Sequence, residues 1–371
     1  MASRAVQLDL YQTAIPMRPF EHAATARNVT EAVLVRLRLD NGGEGWGETL
    51  PRPYVTGETI ESVLEDIEEV FWAALRSGSG VPPMEQAASR PVTAARAAVE
   101  LAWQDACARS AGRPLGGPIP PAVRVSGVLG SADPARTARH LWLMRLFGLR
   151  DFKLKLGLGE QIDRENTSVV HSRLAKALGS GKCTLRVDVN GGWELAEAAQ
   201  RIEQLAQLGV CAVEQPVSAP AGRLAGLAQR CPLPLIADES LITSADFNEL
   251  VRAGKGRVWL NIRIAKNGGL DSALAMARAA AAAGVPFIVG CMVGETAILS
   301  AAQRVLLGRC PPPRFVEGNY GRSLLSDDLA RKSPRFGYGG RLKALPGAGL
   351  GVVVDPKRLA KYGKLIKTLR D

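Results

Sequence analysis

Cysteine is sparse and unpatterned in this chain. The six cysteines (Cys107, Cys183, Cys211, Cys231, Cys291, Cys310) form no CxxC pair and no even framework. That argues against a disulfide-stapled scaffold and predicts reduced, mostly buried thiols of a cytosolic protein. Histidine is rarer still. Only His22, His140 and His171 occur, and all three read as structural or surface residues. No apolar run is long enough to span a membrane, and MASRAVQLDLYQTAIPM lacks the apolar core of a signal peptide. A Gly-rich phosphate turn is missing as well, since SGVLGSAD does not match GxGxxG. No helix-turn-helix, zinc-finger or RNP signature is present.

What remains is an apolar chain of 371 residues, 46% hydrophobic and only 5% aromatic, dominated by Ala, Leu, Val and Gly. That mix suits helices packed on a buried parallel sheet, and the length suits two domains. The net charge of +11 is unevenly spread: Lys332–Asp371 holds ten Lys/Arg against two Asp. The spacing of Lys357, Arg358, Lys361 and Lys364 reads as a solvated helix face, not as a nucleic-acid site.

Ala32–Leu39 alternates apolar and polar residues like a half-exposed strand, and Asp40–Gly43 supplies a turn. Thr59–Leu75 and Thr93–Ser110 have helical periodicity, the latter stopped by Gly112 and Pro114. An α+β domain is therefore expected, with a linker at Pro118–Pro121. Eight strand candidates then alternate with Ala/Leu-rich helices: 123–128, 151–156, 184–189, 210–215, 234–239, 258–263, 286–291 and 314–318. Polar residues recur near their C-terminal ends (Ser126, Lys155, Asp188, Glu214, Asp238, Lys266, Cys291, Glu317), every 24 to 33 residues. A βα unit takes about 30 residues, so eight in series predict a (β/α)8-type barrel with its active site at those ends. A doubly wound open sheet is the alternative. VVVDP (352–356) is expected to be one further short strand, in a tail that packs back on the N-terminal domain.

Asp188, Glu214 and Asp238 end three successive strands. Neighbouring strands lie about 4.8 Å apart, so these carboxylates converge and repel unless a cation lies between them. Oxygen ligands without a local His or Cys favour Mg²⁺. Each acid taken alone could be an N-cap or a loop ion pair. In DFKLKL, Lys153 and Lys155 are two apart and point to one side of their strand. Lys266 follows the sixth strand, across the barrel. Two lysines so placed suit bases on opposite faces of one substrate carbon, and a neighbouring cation helps keep a lysine neutral.

KLK, DVN, EQP, ADES and KNGG, in this order and spacing, resemble the enolase superfamily. Within it they resemble the muconate lactonizing enzyme (muconate cycloisomerase) subgroup of the mandelate racemase/muconate lactonizing enzyme family. GEGWGETLPRPYVTGET (43–59), AVELAWQDACARSAGRPL (98–115) and LPGAGLGVVVDP (345–356) extend the resemblance over nearly the whole chain. It implies an α/β fold: a modified TIM barrel, (β/α)7β-like, in residues 121–325. An α+β capping domain (1–120) and a C-terminal segment (326–371) would complete it. By position, Asp188, Glu214 and Asp238 would bind Mg²⁺, with Asn190 and Glu239 supporting them. Lys155 and Lys266 would be the acid/base pair, assisted by Lys153. Glu295, Glu317, Asn319, Arg52 and Tyr54 would meet the substrate, with His22 and Arg27 also in reach.

The implied reaction is removal of a proton α to a carboxylate. Its outcome would be cycloisomerisation or β-elimination, racemisation or epimerisation of an amino-acid or dipeptide derivative, or dehydration of the o-succinylbenzoate-synthase type. The partner would be a small-molecule carboxylate and the protein a homo-oligomer. Mandelate racemases carry a histidine near the end of strand seven, where PFIVGCMVGET has none. Dipeptide epimerases carry Asp-x-Asp after strand eight, where this chain has Glu317-Gly318-Asn319. Arg263 stands where many relatives have lysine and stays protonated. A catalytically silent barrel that binds a metal and senses an anionic ligand is the competing reading. The Lys155/Lys266 pair counts against it.

Overall fold

The computed structural model describes residues 3–22, 25–83, 90–130 and 132–371. A long hairpin opens the chain: β1 (Ala5–His22) and β2 (Thr25–Leu39) pair antiparallel from Ala5↔Leu39 to His22↔Thr25. The Asp40–Gly43 turn closes on Leu39, whose N–H donates to Gly43 O, and Gly42 takes the left-handed φ of 83° that glycine tolerates. β3 (Glu44–Thr49) then pairs with β2. α1 (Ile60–Asp66) starts at a Thr59/Ser62 capping box and runs through a π-helical turn, Ile67–Phe71, into Trp72–Arg76.

α2 (Thr93–Ser110) lies across this sheet with most of its length buried. Small residues make that possible. Gly45 and Gly47 sit so close to α2 that an added Cβ would fall 2.2 Å from Ala102 O and 1.8 Å from Ala98 O. Glycines two apart on a strand therefore meet alanines four apart on a helix, one face on one face.

The second unit is the barrel. Its strands are β4 (Gly127–Leu129), β5 (Asp151–Lys155), β6 (Thr184–Asp188) and β7 (Val213–Glu214), then β8 (Leu235–Ala237), β9 (Val258–Ile262), β10 (Phe287–Val289) and β11 (Phe315–Val316). Between them run α3 (Pro134–Leu146), α4 (Glu160–Gly179), α5 (Leu195–Gln207), α6 (Ala221–Ala228), α7 (Ser244–Gly254), α8 (Leu270–Ala282) and α9 (Ala297–Leu307). The strands neighbour one another in chain order, all parallel, and a Val125↔Val316 bridge joins the two ends. The expected modified TIM barrel is what forms, and the open doubly wound alternative is not. Val, Leu and Ile of the strands and the inner faces of the helices make one large apolar cluster, the layered packing such a barrel needs.

The tail differs from its reading. VVVDP is not a strand: only Val354 makes a lone bridge, to Ala330. Asp355 instead caps α10 (Pro356–Tyr362). Lys357, Arg358 and Lys361 do lie on this helix, but Lys364, read on the same face, does not; with Lys367 and Arg370 it follows the helix. These three belong to β12 (Gly363–Arg370), which pairs antiparallel with β1 from Gln7↔Arg370 to Thr13↔Gly363. The local spacing of the lysines suits either element. The partner that decides it lies over 350 residues away in the chain. As an outer edge strand, β12 is blunted by its lysines, and Lys367 pairs with Glu68 at 2.6 Å.

Candidate active site

Side chains two apart on a strand share a face, and in this barrel that face is the interior. Lys153 and Lys155 on β5, and Arg186 and Asp188 on β6, are buried pairs of this kind. So are Asn261 and Arg263, at the end of β9. Register puts Lys155 beside Asp188, and Asp188 beside Glu214. Asp238 follows the last residue of β8, on the next strand over. The three acids thus stand on adjacent strand ends, each fully buried.

Cations meet them from both sides. Lys155 Nζ donates to Asp188 Oδ2 at 2.6 Å and to Asn190 Oδ1 at 2.7 Å. Lys266 Nζ, wholly enclosed, donates to Asp238 Oδ1 at 3.0 Å and to the carbonyls of Asp238 (2.6 Å) and Asn261 (2.9 Å). Lys153 Nζ lies deeper, 3.0 Å from Asp188, 3.3 Å from Glu214 and 2.5 Å from Glu317. Arg263 pairs with Asp238, and Asn261 Nδ2 donates to Glu214 Oε1 at 2.8 Å. Strands β6, β7 and β8 separate β5 from β9, so Lys155 and Lys266 approach the acids from opposite ends of the row.

The electrostatics follow from burial and these neighbours. Burial alone would lower Lys153, but Asp188, Glu214 and Glu317 together hold it well above the ordinary lysine value. Lys266 is lowered, because burial outweighs Asp238. Glu214 is pushed up to about 8, first by burial and then by the charge of Asp188. Burial would raise Asp188 as well, yet Lys153 and Lys155 pull it well below the carboxylate range. Among the described residues, no three acids stand close enough to hold a metal ion as their side chains now lie, each being turned to a cation. The donor set itself suits a hard cation: carboxylate oxygens only, buried, and mutually repelling.

Asn190 Nδ2 donates to Glu239 Oε1 at 3.1 Å, while Glu239 Oε2 is buried without a partner. Gln215 braces the loop that carries Asp238: its Oε1 accepts from the N–H groups of Asp238 and Ser240. A cavity of about 310 Å³ opens between this wall and the capping domain, lined by Asn190, Gln215 and Glu239 on one side and by Tyr54 and Val55 on the other.

The residues expected at the substrate are less uniform. Tyr54 borders the cavity. Arg52 is buried and donates to the carbonyls of Glu31 and Pro51. Glu295 is half-buried, accepts from the Met292 N–H at 2.7 Å, and is pushed up to about 8 by desolvation. Glu317 faces the interior: Arg186 and Lys153 both bind it at 2.5 Å and hold it down at about 2 against its burial. Asn319 has both amide atoms engaged within the protein, by Arg304 Nε at 2.7 Å and Gln303 Oε1 at 2.6 Å, which leaves its side chain tied to α9. The side chain of His22 lies outside the described residues. His171 is bound to the Leu208 carbonyl.

Arg186 and Asn261 escaped the sequence reading. Their signal was present, since each stands two residues before a residue already singled out, on a strand whose alternate positions face inward. The hydroxyl of Tyr320, buried without a partner near Cys291 and Glu317, gave no such signal.

Comparison with known proteins decides the family. Residues 5–117 match the N-terminal domain of mandelate racemase/muconate lactonizing enzymes, and residues 135–358 match the enolase C-terminal domain-like family. The chain belongs to the enolase superfamily. It is an enzyme of the mandelate racemase/muconate lactonizing enzyme family. It is 31% identical to muconate cycloisomerase 1 of Rhodococcus opacus over 91% of this chain and 92% of that one. It is 28% identical to the N-succinyl-L-Arg/Lys racemase of Bacillus cereus over 80% and 81%. The solved muconate lactonizing enzyme of Pseudomonas fluorescens, complexed with muconolactone, superposes with a TM-score of 0.84 at 29% identity, covering 98% of this chain and all of that one. No helix of the described residues is long and apolar enough to cross a membrane.

Proposed function

We propose that this enzyme removes a proton α to a substrate carboxylate, with Lys155 and Lys266 as the acid/base pair on opposite faces of the reacting carbon. The observation that carries this reading is their placement, at opposite ends of a row of three buried carboxylates on adjacent strands. Surface lysines need no such burial, and a purely structural ion pair needs only one of them.

Asp188, Glu214 and Asp238 would hold Mg²⁺, in exchange for the lysine and arginine contacts they now make. When bound, Mg²⁺ supplies positive charge to the substrate carboxylate as negative charge builds there. The chain's own groups supply the rest. Lys153, kept protonated by Asp188, Glu214 and Glu317, adds a fixed cation beside the same charge. Lys266 is lowered by burial, which favours the neutral form a base needs; Lys155, hydrogen-bonded to Asn190, lies beside the cavity. Return of a proton from the opposite lysine gives racemisation or epimerisation. Loss or internal attack of a β-group gives elimination or cycloisomerisation. Asn319 held by α9 and Glu317 held by Arg186 speak against a substrate ammonium bound after strand eight, as a dipeptide epimerase requires.

With this goes a division of the chain at 1–120, 121–325 and 326–371, the outer two forming the cap over the barrel mouth. Incubation with a panel of carboxylates in D₂O, followed by NMR, tests the reading. Mg²⁺-dependent loss of the α-proton signal from at least one carboxylate is expected. Tight Mg²⁺-dependent binding with no exchange from any of them would favour the silent sensor.

A further inference from the structure

A second cavity, of about 470 Å³, lies where the β2–β3 turn, the end of α2 and the start of α10 meet. It shares none of its lining with the cavity at the barrel mouth. Its size falls within the range of roughly 300–1,000 Å³ that encloses small organic ligands.

Strand alternation supplies one wall. Gly45 and Gly47 turn toward α2, so Trp46 between them points from the opposite face of the sheet. Trp46 and, from the tail, Val353, Pro356 and Leu359 make an apolar surface. Val353 is 73% exposed, so a ligand lying on it would remove apolar area from water. The other wall is charged. The guanidinium of Arg36 lies over the Trp46 ring, 5.6 Å from its centroid. Arg36 Nη2 binds Glu44 at 2.6 Å, and Tyr11 is a further neighbour. Arg36 Nε is buried and has no hydrogen-bond partner among the described residues. Arg109 donates to Asp105 and to the Val352 carbonyl.

The charges here do not balance. Arg36, Arg38 and Arg109 face Glu44 and Asp105, three cations against two acids. Glu44 is shared between Arg36 and Arg38, and Asp105 also accepts from the N–H groups of Trp46 and Leu350. A buried N–H without an acceptor is costly to the fold alone, and an anion would satisfy it with a strong, charge-assisted bond. One excess positive charge and one apolar wall together describe a ligand with an anionic end and an apolar body.

We propose that this cavity is a second binding site, separate from the reaction at the barrel mouth, for a monocarboxylate with an apolar body. The carboxylate accepts from Arg36, and the body lies along Val353, Pro356 and Leu359. A doubly charged phosphate suits the site less, since only one positive charge is in excess. Bound there, the ligand ties the tail to β3, the strand whose Glu48 reaches the start of α9. Occupancy therefore raises the melting temperature.

The test uses the full-length protein in EDTA, so that no metal draws carboxylates to the barrel mouth, and fluorine NMR titration of three probes. These are 3-(4-fluorophenyl)propionate, its uncharged primary amide, and trifluoroacetate, which keeps the charge without the body. The propionate should bind about tenfold or more tightly than either of the others, as a charged hydrogen bond and apolar burial together imply. Arg36→Gln should erase the difference between acid and amide. Val353→Asp, a change at an exposed position, should weaken the acid more than the amide, and Lys155→Ala should alter neither. Equal affinity for acid and amide, or no binding of the acid, would overturn the site. So would a preference that survives Arg36→Gln or is untouched by Val353→Asp. Loss of the acid in Lys155→Ala would place it at the barrel mouth and overturn the site as well. Should Arg36→Gln not fold, the wild-type ranking and Val353→Asp together decide.

Discussion

Two groups of buried acids in this molecule are satisfied in different ways. At the barrel mouth, Asp188, Glu214, Asp238 and Glu317 face lysine and arginine side chains. At the joint between cap and barrel, acids face helix N-termini, joined at Glu100 by the side chain of Arg96. Glu48 on β3 accepts from Thr296 N (2.9 Å), Thr296 Oγ1 (2.7 Å) and Leu299 N (3.0 Å), at the start of α9. Glu100 on α2 accepts from Asp271 N at 2.8 Å, at the start of α8. Asp328, from the C-terminal segment, accepts from Ala297 N. Helix N-termini offer unsatisfied N–H groups and a positive dipole end, so these acids clamp the cap onto the two helices that follow β9 and β10. The difference teaches which acids are built to exchange partners. A side-chain cation can swing away for a metal or a substrate, whereas a helix terminus cannot.

If that contrast is right, removing an acid from either region has opposite consequences. Glu214→Gln should cost the most activity, about 100-fold or more as expected for loss of a metal ligand, and lower Mg²⁺ affinity. Thermal stability should hold or rise, because burial and the charge of Asp188 both disfavour the carboxylate there. Turnover, Mg²⁺ titration and melting of one preparation check all three. Glu48→Ala should do the reverse. It should cost about 2–3 kcal/mol in denaturant unfolding, since buried N–H donors lose their acceptor, and leave turnover of the folded enzyme largely intact. Gly47→Ala should lose about 1–3 kcal/mol by overpacking β3 against Ala98, a cost owed to the same joint without any change of charge.

The smallest effect is in pH dependence, and its sign separates the regions. Glu48 and Glu100 are raised from 4.5 to about 7, burial being the main cause in both. The folded state therefore binds more protons than the unfolded one between about pH 4.5 and 7, and these groups erode stability as pH rises through that window. Glu317, lowered from 4.5 to about 2 by Lys153 and Arg186 against its burial, contributes stability above the unfolded value that is lost as pH falls through about 2. Melting temperature against pH should show a shallower decline between pH 5 and 7 in Glu48→Gln and Glu100→Gln than in wild type. Parallel profiles would mean the joint acids are not held as described.

The same contrast explains what the sequence made legible. The barrel acids and lysines stand at strand ends that recur at the spacing of a βα unit, so Asp188, Glu214, Asp238 and Lys155 announce themselves by position. Arg186 and Asn261 were one step further along the same logic. The joint acids carry no such mark. Glu48 lies inside a strand and Glu100 inside a helix, and their partners are over 170 residues away. The tail was misread for the same reason. K-x-x-K spacing is indifferent to whether β1 is there to receive it, so β12 followed from tertiary pairing and not from local pattern. Glu317 and Asn319 were singled out by their place after the eighth strand. Their partners, Arg186 beneath and Gln303 and Arg304 on α9, became visible only in three dimensions.

The central claim is that two lysines serve opposite faces of one carbon, and stereospecific exchange tests it most directly. With Mg²⁺ and a carboxylate that the wild type exchanges in D₂O, each enantiomer is followed separately with wild type, Lys155→Ala and Lys266→Ala. Each variant should lose exchange of one enantiomer by about 10²–10⁴-fold, the cost of a missing positioned base, and retain exchange of the other. Loss of both enantiomers in one variant and of neither in the other would contradict the two-base arrangement. So would a loss below tenfold in both.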